Sequence, residues 1–442
     1  MNRCEADLKS STDLVVKRAI DAQCAGHLED AASLYRHALE QMSDHPAAHH
    51  FFGILKYQTG ETDAGLAMVN RSVQLSPNRA DWLNDLGNLL AASGRNEDAA
   101  NAFMCALELD QGNAPIWNNL GAVLQRLGQL DEAGFSFQTA LSLNPNFEDA
   151  LNNLGHIQSQ QGKPTEAARS YCAAYVARPG ADKSPHMLGI AYYVLGRIDE
   201  AAETYRAWLR QQPGHPIASH MLAACTGENV PERASDAYLE MYFDRAADQF
   251  DSKMVGMLAY QVPERAGQAI AGLGLSEKAV SILDAGCGTG LCAPYLKPFA
   301  KQLTGVDLSA NSLAAAAEKG LYDQLVKQEM VDYLRASGQR FDMIVSLDTF
   351  IYFGNLAPLL EAFSSSITDD GLLVVSAEAL LSGEDSFELT PSGRYCHRRE
   401  HVLAQMTAAG FKCESVAPLK IRIELGEPVD GMLFVARKVA SC

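Results

Sequence analysis

Residues Ser281–Gly290 read "SILDAGCGTG". A short apolar run, closed by Asp284, leads into three glycines at alternate positions, Gly286, Gly288 and Gly290. That is the form of a buried strand entering a glycine-rich turn, whose bare backbone lets a nucleotide-like ligand approach. From Ser276 onward short apolar runs alternate with helical segments, as in a doubly wound α/β sheet. The spacing predicts seven strands: Ser281–Asp284, Gln302–Asp307, Gln324–Gln328, Phe341–Leu347, Gly371–Ala377, Cys413–Ile423 and Met432–Arg437. The last two are joined by "GEPVDG" (Gly426–Gly431) rather than by a helix, which predicts an antiparallel final hairpin.

The loop spacing selects the ligand. A dinucleotide fingerprint is GxGxxG, and here the loop is GxGxG, with Leu291 where the third glycine would sit. Asp284 at the strand end would repel a pyrophosphate and suits a ligand with a cationic amino-acid end. Asp307, ending the second strand seventeen residues beyond Gly290, is placed to accept ribose hydroxyls. Glu329 in "KQEMVDYL" follows the third strand, and Leu347 and Asp348 in "VSLDTFIYF" end the fourth at the switch-point crevice. A tight strand–helix turn without any ligand is the competing reading of the loop.

Together these residues resemble a class I S-adenosylmethionine-dependent methyltransferase, over about Ala237 to Lys438. The resemblance implies a Rossmann-like seven-stranded sheet with S-adenosyl-L-methionine as cofactor. It implies that Asp284, Gly286, Gly288 and Gly290 hold the methionine moiety, Asp307 the ribose, and Glu329 with Met330 the adenine. Cys287, Leu308 and Leu347 complete the implied cofactor-binding set. Many relatives carry Asp where this chain has Glu329. The segments "YFDRAADQFDSKMVGMLAYQVPE", "FIYFGNL", "GRYCH" and "LGEPVDGMLFV" are also similar to a bacterial group of predicted methyltransferases that carry tetratricopeptide repeats.

Methyl transfer needs an aligned, desolvated nucleophile and, where that nucleophile carries a proton, a base. The candidates are Asp348, Tyr395 and His397, with Tyr352 and Glu378 nearby in sequence terms. His397 titrates near neutrality and suits proton transfer; its competing reading is a polar residue starting the helix of "RREHVLAQM". Arg394, Arg398 and Arg399 could clamp an acceptor carboxylate or phosphate, or simply be solvated. Tyr242, Phe250 and Tyr260 lie ahead of the core, where a lid over the cofactor or ordinary packing would use the same aromatics. No metal site is expected.

The first half has a strict 34-residue period. Gly53, Gly87, Gly121, Gly155 and Gly189 form one series, and Gly26, Gly60, Gly94, Gly128, Gly162 and Gly196 a second. A bulky plug recurs at Tyr35, Val69, Phe103, Phe137, Tyr171 and Tyr205, and Pro77, Pro145, Pro179 and Pro213 close four units. This period resembles the tetratricopeptide repeat and implies an α-solenoid over residues 12–215, of about six repeats. Residues 216–275 read as a helical linker or lid, and 276–442 as the methyltransferase domain. The first unit, with Ala19 and Ser43 in the glycine and proline slots, and the last, with Trp208 in a small slot, read as caps. Asn84, Asn118, Asn119, Asn152 and Asn153 form a ladder that would either bind an extended peptide backbone or satisfy local helix surface.

The 442 residues carry a formal net charge of -18, which disfavours nucleic acid as the main partner. No apolar run reaches the ~18 residues of a membrane span, and the N-terminus has no secretory core, so a cytoplasmic protein is expected. The ten cysteines are scattered, as small buried hydrophobes would be. The primary expectation is a methyltransferase acting on a small-molecule or carrier-bound acceptor, with the repeats serving protein interaction or dimerisation. Two alternatives stay open: a protein methyltransferase whose repeats grip the target polypeptide, and a repeat scaffold whose methyltransferase fold is inactive.

Overall fold

The computed structural model describes residues 3–178, 180 and 182–439. The chain divides into two compact units, residues 1–179 and 180–442. The described part of the first unit contains helices α1 (Arg3–Cys24), α2 (Leu28–Gln41), α3 (Pro46–Gln58), α4 (Thr62–Leu75), α5 (Ala80–Ala92), α6 (Asn96–Leu109), α7 (Ala114–Arg126), α8 (Leu130–Leu143), α9 (Glu148–Gln160) and α10 (Pro164–Ala177). They form antiparallel pairs, and the sequence period states why. Within each pair the mid-helix glycine lets the plug of the next helix lie flat against backbone: a Cβ at Gly87 would come within 2.5 Å of Phe103, and one at Gly121 within 2.7 Å of Phe137. Phe103 and Phe137 are buried. Pro77 and Pro145 fall two residues beyond the ends of α4 and α8; Pro179 lies outside the described residues.

The asparagine ladder bonds to itself. Asn119 Nδ2 donates to Asn84 Oδ1 (3.0 Å) and Asn88 Oδ1 (3.2 Å), and Asn153 Nδ2 donates to Asn118 Oδ1 (3.0 Å). Each bond joins neighbouring repeats, so much of the ladder's capacity stitches the array.

The second unit opens with α11 (Pro185–Val194), α12 (Ile198–Gln211), α13 (Pro216–Thr226) and α14 (Asp236–Asp251), the last running into a π-helical turn at Ser252–Met257 and then α15 (Val262–Ala271). Trp208 departs from the repeat pattern for a reason visible here. It is buried in a cluster with Ile217, Met221, Tyr238 and Leu239, against which Leu308 and Tyr352 of the sheet region pack.

The sheet follows: β1 (Val280–Ala285), α16 (Ala293–Leu296), β2 (Ala300–Asp307), α17 (Ala310–Glu318), β3 (Gln324–Lys327), α18 (Met330–Ser337), β4 (Phe341–Ser346), α19 (Ala357–Ser366), β5 (Ile367–Ala379), β6 (Phe387–Leu389), β7 (Tyr395–His397), α20 (Arg399–Ala408), β8 (Phe411–Glu424) and β9 (Glu427–Lys438). The main path runs β3-β2-β1-β4-β5, all parallel, then antiparallel β9 and β8. β1 therefore sits at the switch point, with β2 on one side and β4 on the other. Apolar clusters cover both faces of the sheet, which is why the central strands read as continuous apolar runs.

Two differences from the sequence reading matter for the site. β6 and β7 pair with each other, and β7 pairs with the far end of β5, adding two short strands to the expected seven. At three residues each they are too short to show alternation. The final hairpin turns tightly at Leu425–Gly426, so "EPVDG" belongs to β9 rather than to a loop.

Candidate functional site

The glycine loop leaves β1 and is tied to β2. Gly286 N–H and Cys287 N–H both donate to Val306 O (2.8 and 3.1 Å). Gly286, Gly288 and Gly290 have φ of 79°, 51° and 81°, a region that favours glycine. Gly288 differs from its two neighbours in what surrounds it. A Cβ there meets no atom within 4 Å, whereas one at Gly286 would lie 2.7 Å from Thr349 Oγ1 and one at Gly290 3.0 Å from Tyr322. The bare backbone at Gly288 faces open space.

Two carboxylates end the strands that hold this loop. Asp284 is 1% exposed, and its Oδ2 accepts from the Tyr322 hydroxyl (2.6 Å). Burial pushes its carboxyl up to about 7, the Tyr322 hydrogen bond opposes this, and the charge of Asp307 adds to it. Asp307 ends β2, and its two oxygens accept from Gly288 N–H and Ser309 N–H (both 2.9 Å). Burial raises its carboxyl, and these backbone donors pull against the rise. Leu308, the next residue, packs on the cluster that holds α14. Glu329 caps α18, accepting from Asp332 N–H (2.9 Å), with its other oxygen 4.0 Å from Arg233 Nη1. Met330 reaches the loop, its methyl 3.4 Å from where a Gly286 Cβ would be. The structure thus gathers Asp284, Asp307, Met330 and the glycines around one loop. Cys287 is buried beneath it, 2.9 Å from where a Gly305 Cβ would be.

Beyond β4, Leu347 is buried, and Asp348 has a φ of 52°. Asp348 N–H donates to Ser376 Oγ (2.8 Å). Its carboxyl is pushed up to about 6 by burial and by Glu378, against Arg422, Arg394 and a hydrogen bond from Tyr260.

The catalytic candidates His397 and Tyr395 lie on β7, apart from this group. His397 lies on β7, not at a helix start, and is fully buried. Its Nε2–H donates to Phe350 O (3.2 Å), and its Nδ1 has no partner. Burial pushes it down to about 4, so it stays neutral at physiological pH. The Tyr395 hydroxyl donates to Pro231 O (2.6 Å). Both side chains fasten backbone.

Residues 254–416 match a family model described as a methyltransferase domain. Segments 87–128, 114–147, 136–169 and 186–225 match models of the tetratricopeptide repeat. The chain joins tetratricopeptide repeats to a methyltransferase domain. It is similar to a ubiquinone biosynthesis O-methyltransferase of Azorhizobium caulinodans, 26% identical over 37% of this chain and 73% of the relative. A malonyl-[acyl-carrier protein] O-methyltransferase of Acetivibrio thermocellus is 27% identical over 44% of this chain and 68% of its own length. The TPR repeat-containing protein PA4299 of Pseudomonas aeruginosa is 27% identical over 24% of this chain and 40% of its own.

The methyltransferase domain also joins Glu378 and Arg394, both candidates from the sequence, to Arg422 and Glu424, which sequence reasoning missed. Arg422 and Glu378, each 4% exposed, pair at 2.5 Å. Arg394 lies 3.2 Å from Glu378 and also binds Glu424, and Arg422 Nη1 is 4.0 Å from Asp348. Arg394 is therefore committed to two carboxylates rather than free to clamp a ligand. Arg398 donates to the backbone of Ser382 and Asp385. A β-bulge between Lys420 and Arg422 explains why Ile421 and Arg422, consecutive on a strand, are both buried. The one signal in the sequence was a charge inside the apolar "IRI". Tyr322 carried none, because its role depends on the fold of the α17–β3 connection.

The segment ahead of the core packs on the loop. Asp251 accepts from Thr289 Oγ1 (2.5 Å) and Lys319 Nζ (2.6 Å), and Asp244 accepts from Ser309 Oγ (2.6 Å). Phe243 meets Tyr242, Phe250 and Tyr352 edge-on, at centroid separations of 5.4–6.2 Å.

Proposed function

We propose that the methyltransferase domain transfers a methyl group from S-adenosyl-L-methionine to a small-molecule or carrier-bound acceptor, with the repeats mediating protein interaction or self-association. The carrying observation is the uncovered backbone of Gly288 in a loop held by two strand-end carboxylates, the buried Asp284 and the half-buried Asp307. An ammonium or sulfonium placed beside Asp284 relieves the cost that lifts its carboxyl to about 7. A diphosphate placed there adds a second anion to a site that already resists one. The cofactor supplies a methyl carbon activated by positive sulfur. Asp284 and the backbone of Gly286–Gly290 hold its amino-acid end, and Asp307 takes the ribose hydroxyls on its remaining lone pairs. Met330 and Glu329, at the head of α18, would hold the adenine.

On the acceptor side, Asp348 is the group for proton removal. Its carboxyl, at about 6, is ionised at neutral pH yet basic enough to take a proton from a hydroxyl or acid. Arg422 and Tyr260 hold it in place. The helix α14 and the π-helical turn, latched through Asp244 and Asp251, exclude water from the loop.

Small-molecule or carrier-bound acceptors are favoured over a polypeptide gripped by the repeats because the asparagine ladder spends its hydrogen bonds between repeats. Thermal melts with S-adenosylmethionine, S-adenosylhomocysteine and NAD test the cofactor. At ~100 times its dissociation constant a ligand stabilises by about 2.7 kcal/mol, and stabilisation by NAD alone overturns the assignment. Radiolabelled methyl transfer into lysate, separated into protein and small-molecule fractions, tests the acceptor class. Asp348→Asn, which tolerates the left-handed backbone, is expected to lower turnover by about 10²–10⁴-fold while donor binding stays within about threefold.

A further inference from the structure

A groove of about 1010 Å³ lies between α6 and α8, floored by α7, and is walled by Met104, Trp117 and Phe135. Phe135 is 63% exposed and Met104 47%. Trp117 is fixed by its indole N–H donating to Gln111 O (2.9 Å) and meets Phe135 edge-on at 6.3 Å. Repeat architecture does not require these apolar residues. In the Met104 slot the other units carry Arg36, Asn70, Gln138, Cys172 and Arg206. In the Phe135 slot they carry Ser33, Ala67, Asn101, Arg169 and Glu203. One repeat junction alone breaks the period with two large solvent-facing hydrophobes.

The rim is acidic. Glu97, Glu108 and Glu132 border the groove, no lysine, arginine or histidine lines it, and none of the three pairs with a cation among the described residues. Asp131, also on the rim, accepts from Gln161. An apolar floor ringed by unpaired carboxylates is complementary to a segment carrying large apolar side chains flanked by lysine or arginine. A second copy of this chain, at a net charge of -18, is the wrong electrostatic partner.

We propose that this groove docks a cationic amphipathic helix of a partner protein, seating its apolar face on Met104, Trp117 and Phe135. This proposal stands independently of the methyl-transfer reading. The test uses the full-length protein and two fluorescent peptides of about 16 residues, enough for four helical turns. One is built from Leu and Lys in an amphipathic pattern, and its counterpart has Glu in place of Lys. Fluorescence anisotropy should show the Lys peptide binding at least about tenfold more tightly than the Glu peptide, with affinity falling as salt rises. Phe135→Lys and the pair Glu97→Lys with Glu132→Lys should each weaken the Lys peptide by about tenfold or more. The control pair Glu29→Lys with Asp30→Lys, on α2, should leave it unchanged. Equal affinity for both peptides overturns the proposal, as does equal loss in the control, which would mark general attraction to an acidic protein. Sedimentation showing a dimer that Phe135→Lys dissociates would make the occupant a second copy and overturn it as well.

Discussion

Gly121 and Gly288 do opposite work with the same missing side chain. At Gly121, in the repeat array, the absent Cβ is filled by Phe137, whose ring would lie 2.7 Å from it. At Gly288, in the methyltransferase domain, the absent Cβ is filled by nothing within 4 Å. The polar groups nearby differ too. In the array's asparagine ladder they satisfy one another, as Asn119 does with Asn84 and Asn88. At the end of the sheet Asp284, buried, and Asp348, half-buried, have their carboxyls raised, a cost that folding alone does not repay. At the Gly121 crossing the missing side chain is used for packing, whereas at Gly288 it leaves backbone uncovered.

Four substitutions sharpen or break that contrast, from the largest effect to the smallest. Asp284→Asn should cut S-adenosylmethionine affinity by at least about a hundredfold in calorimetry, since it removes the charge that receives the cationic end. The same variant should melt higher without ligand. A carboxyl at about 7 in the folded state, above its ordinary 3.8, destabilises as pH rises between those values and fully above 7. The gain from Asn should therefore be near zero at pH 4, grow through neutrality and level off by pH 8, at up to about 4 kcal/mol. A flat difference across that range would mean Asp284 is not the strained group. In the same titration, native donor affinity should rise toward pH 7 and plateau above it, because the free site must first release a proton.

Gly121→Val should cost about 3 kcal/mol, the upper range for overpacking, read as a lower melting midpoint of the repeat helices by circular dichroism. A loss below ~1 kcal/mol would show that Phe137 relaxes freely. Gly288→Ala should cost only about 1 kcal/mol for its left-handed φ yet weaken donor binding by about tenfold or more, because a methyl group enters the open space. If Gly288→Ala destabilised as much as Gly121→Val while binding held, the distinction between the two glycines would fail. Asn119→Ala should have the smallest overall effect, about 1 kcal/mol of stability with no change in donor binding.

How legible each half was follows from the range of the forces involved. The repeat helices and their plugs were readable because one glycine and one bulky residue meet once per 34-residue repeat. The loop, Asp284 and Asp307 were readable because all lie within a few residues of strand ends. The surroundings of His397 were not readable, because they depend on β7 burying it against Phe350 O. The Arg422–Glu378 pair was invisible because it joins strands 44 residues apart through a bulge.

The sequence by itself determined the helical repeats, the parallel sheet with its antiparallel hairpin, and the glycine loop between two acids, since short-range periodicity and steric need impose all of these. Only the tertiary structure decided that Tyr322 supports Asp284, that Arg394 is already paired, and that α14 latches the loop through Asp244 and Asp251. Those outcomes depend on which distant strands and helices become neighbours, and burial then sets the charge that each side chain can carry.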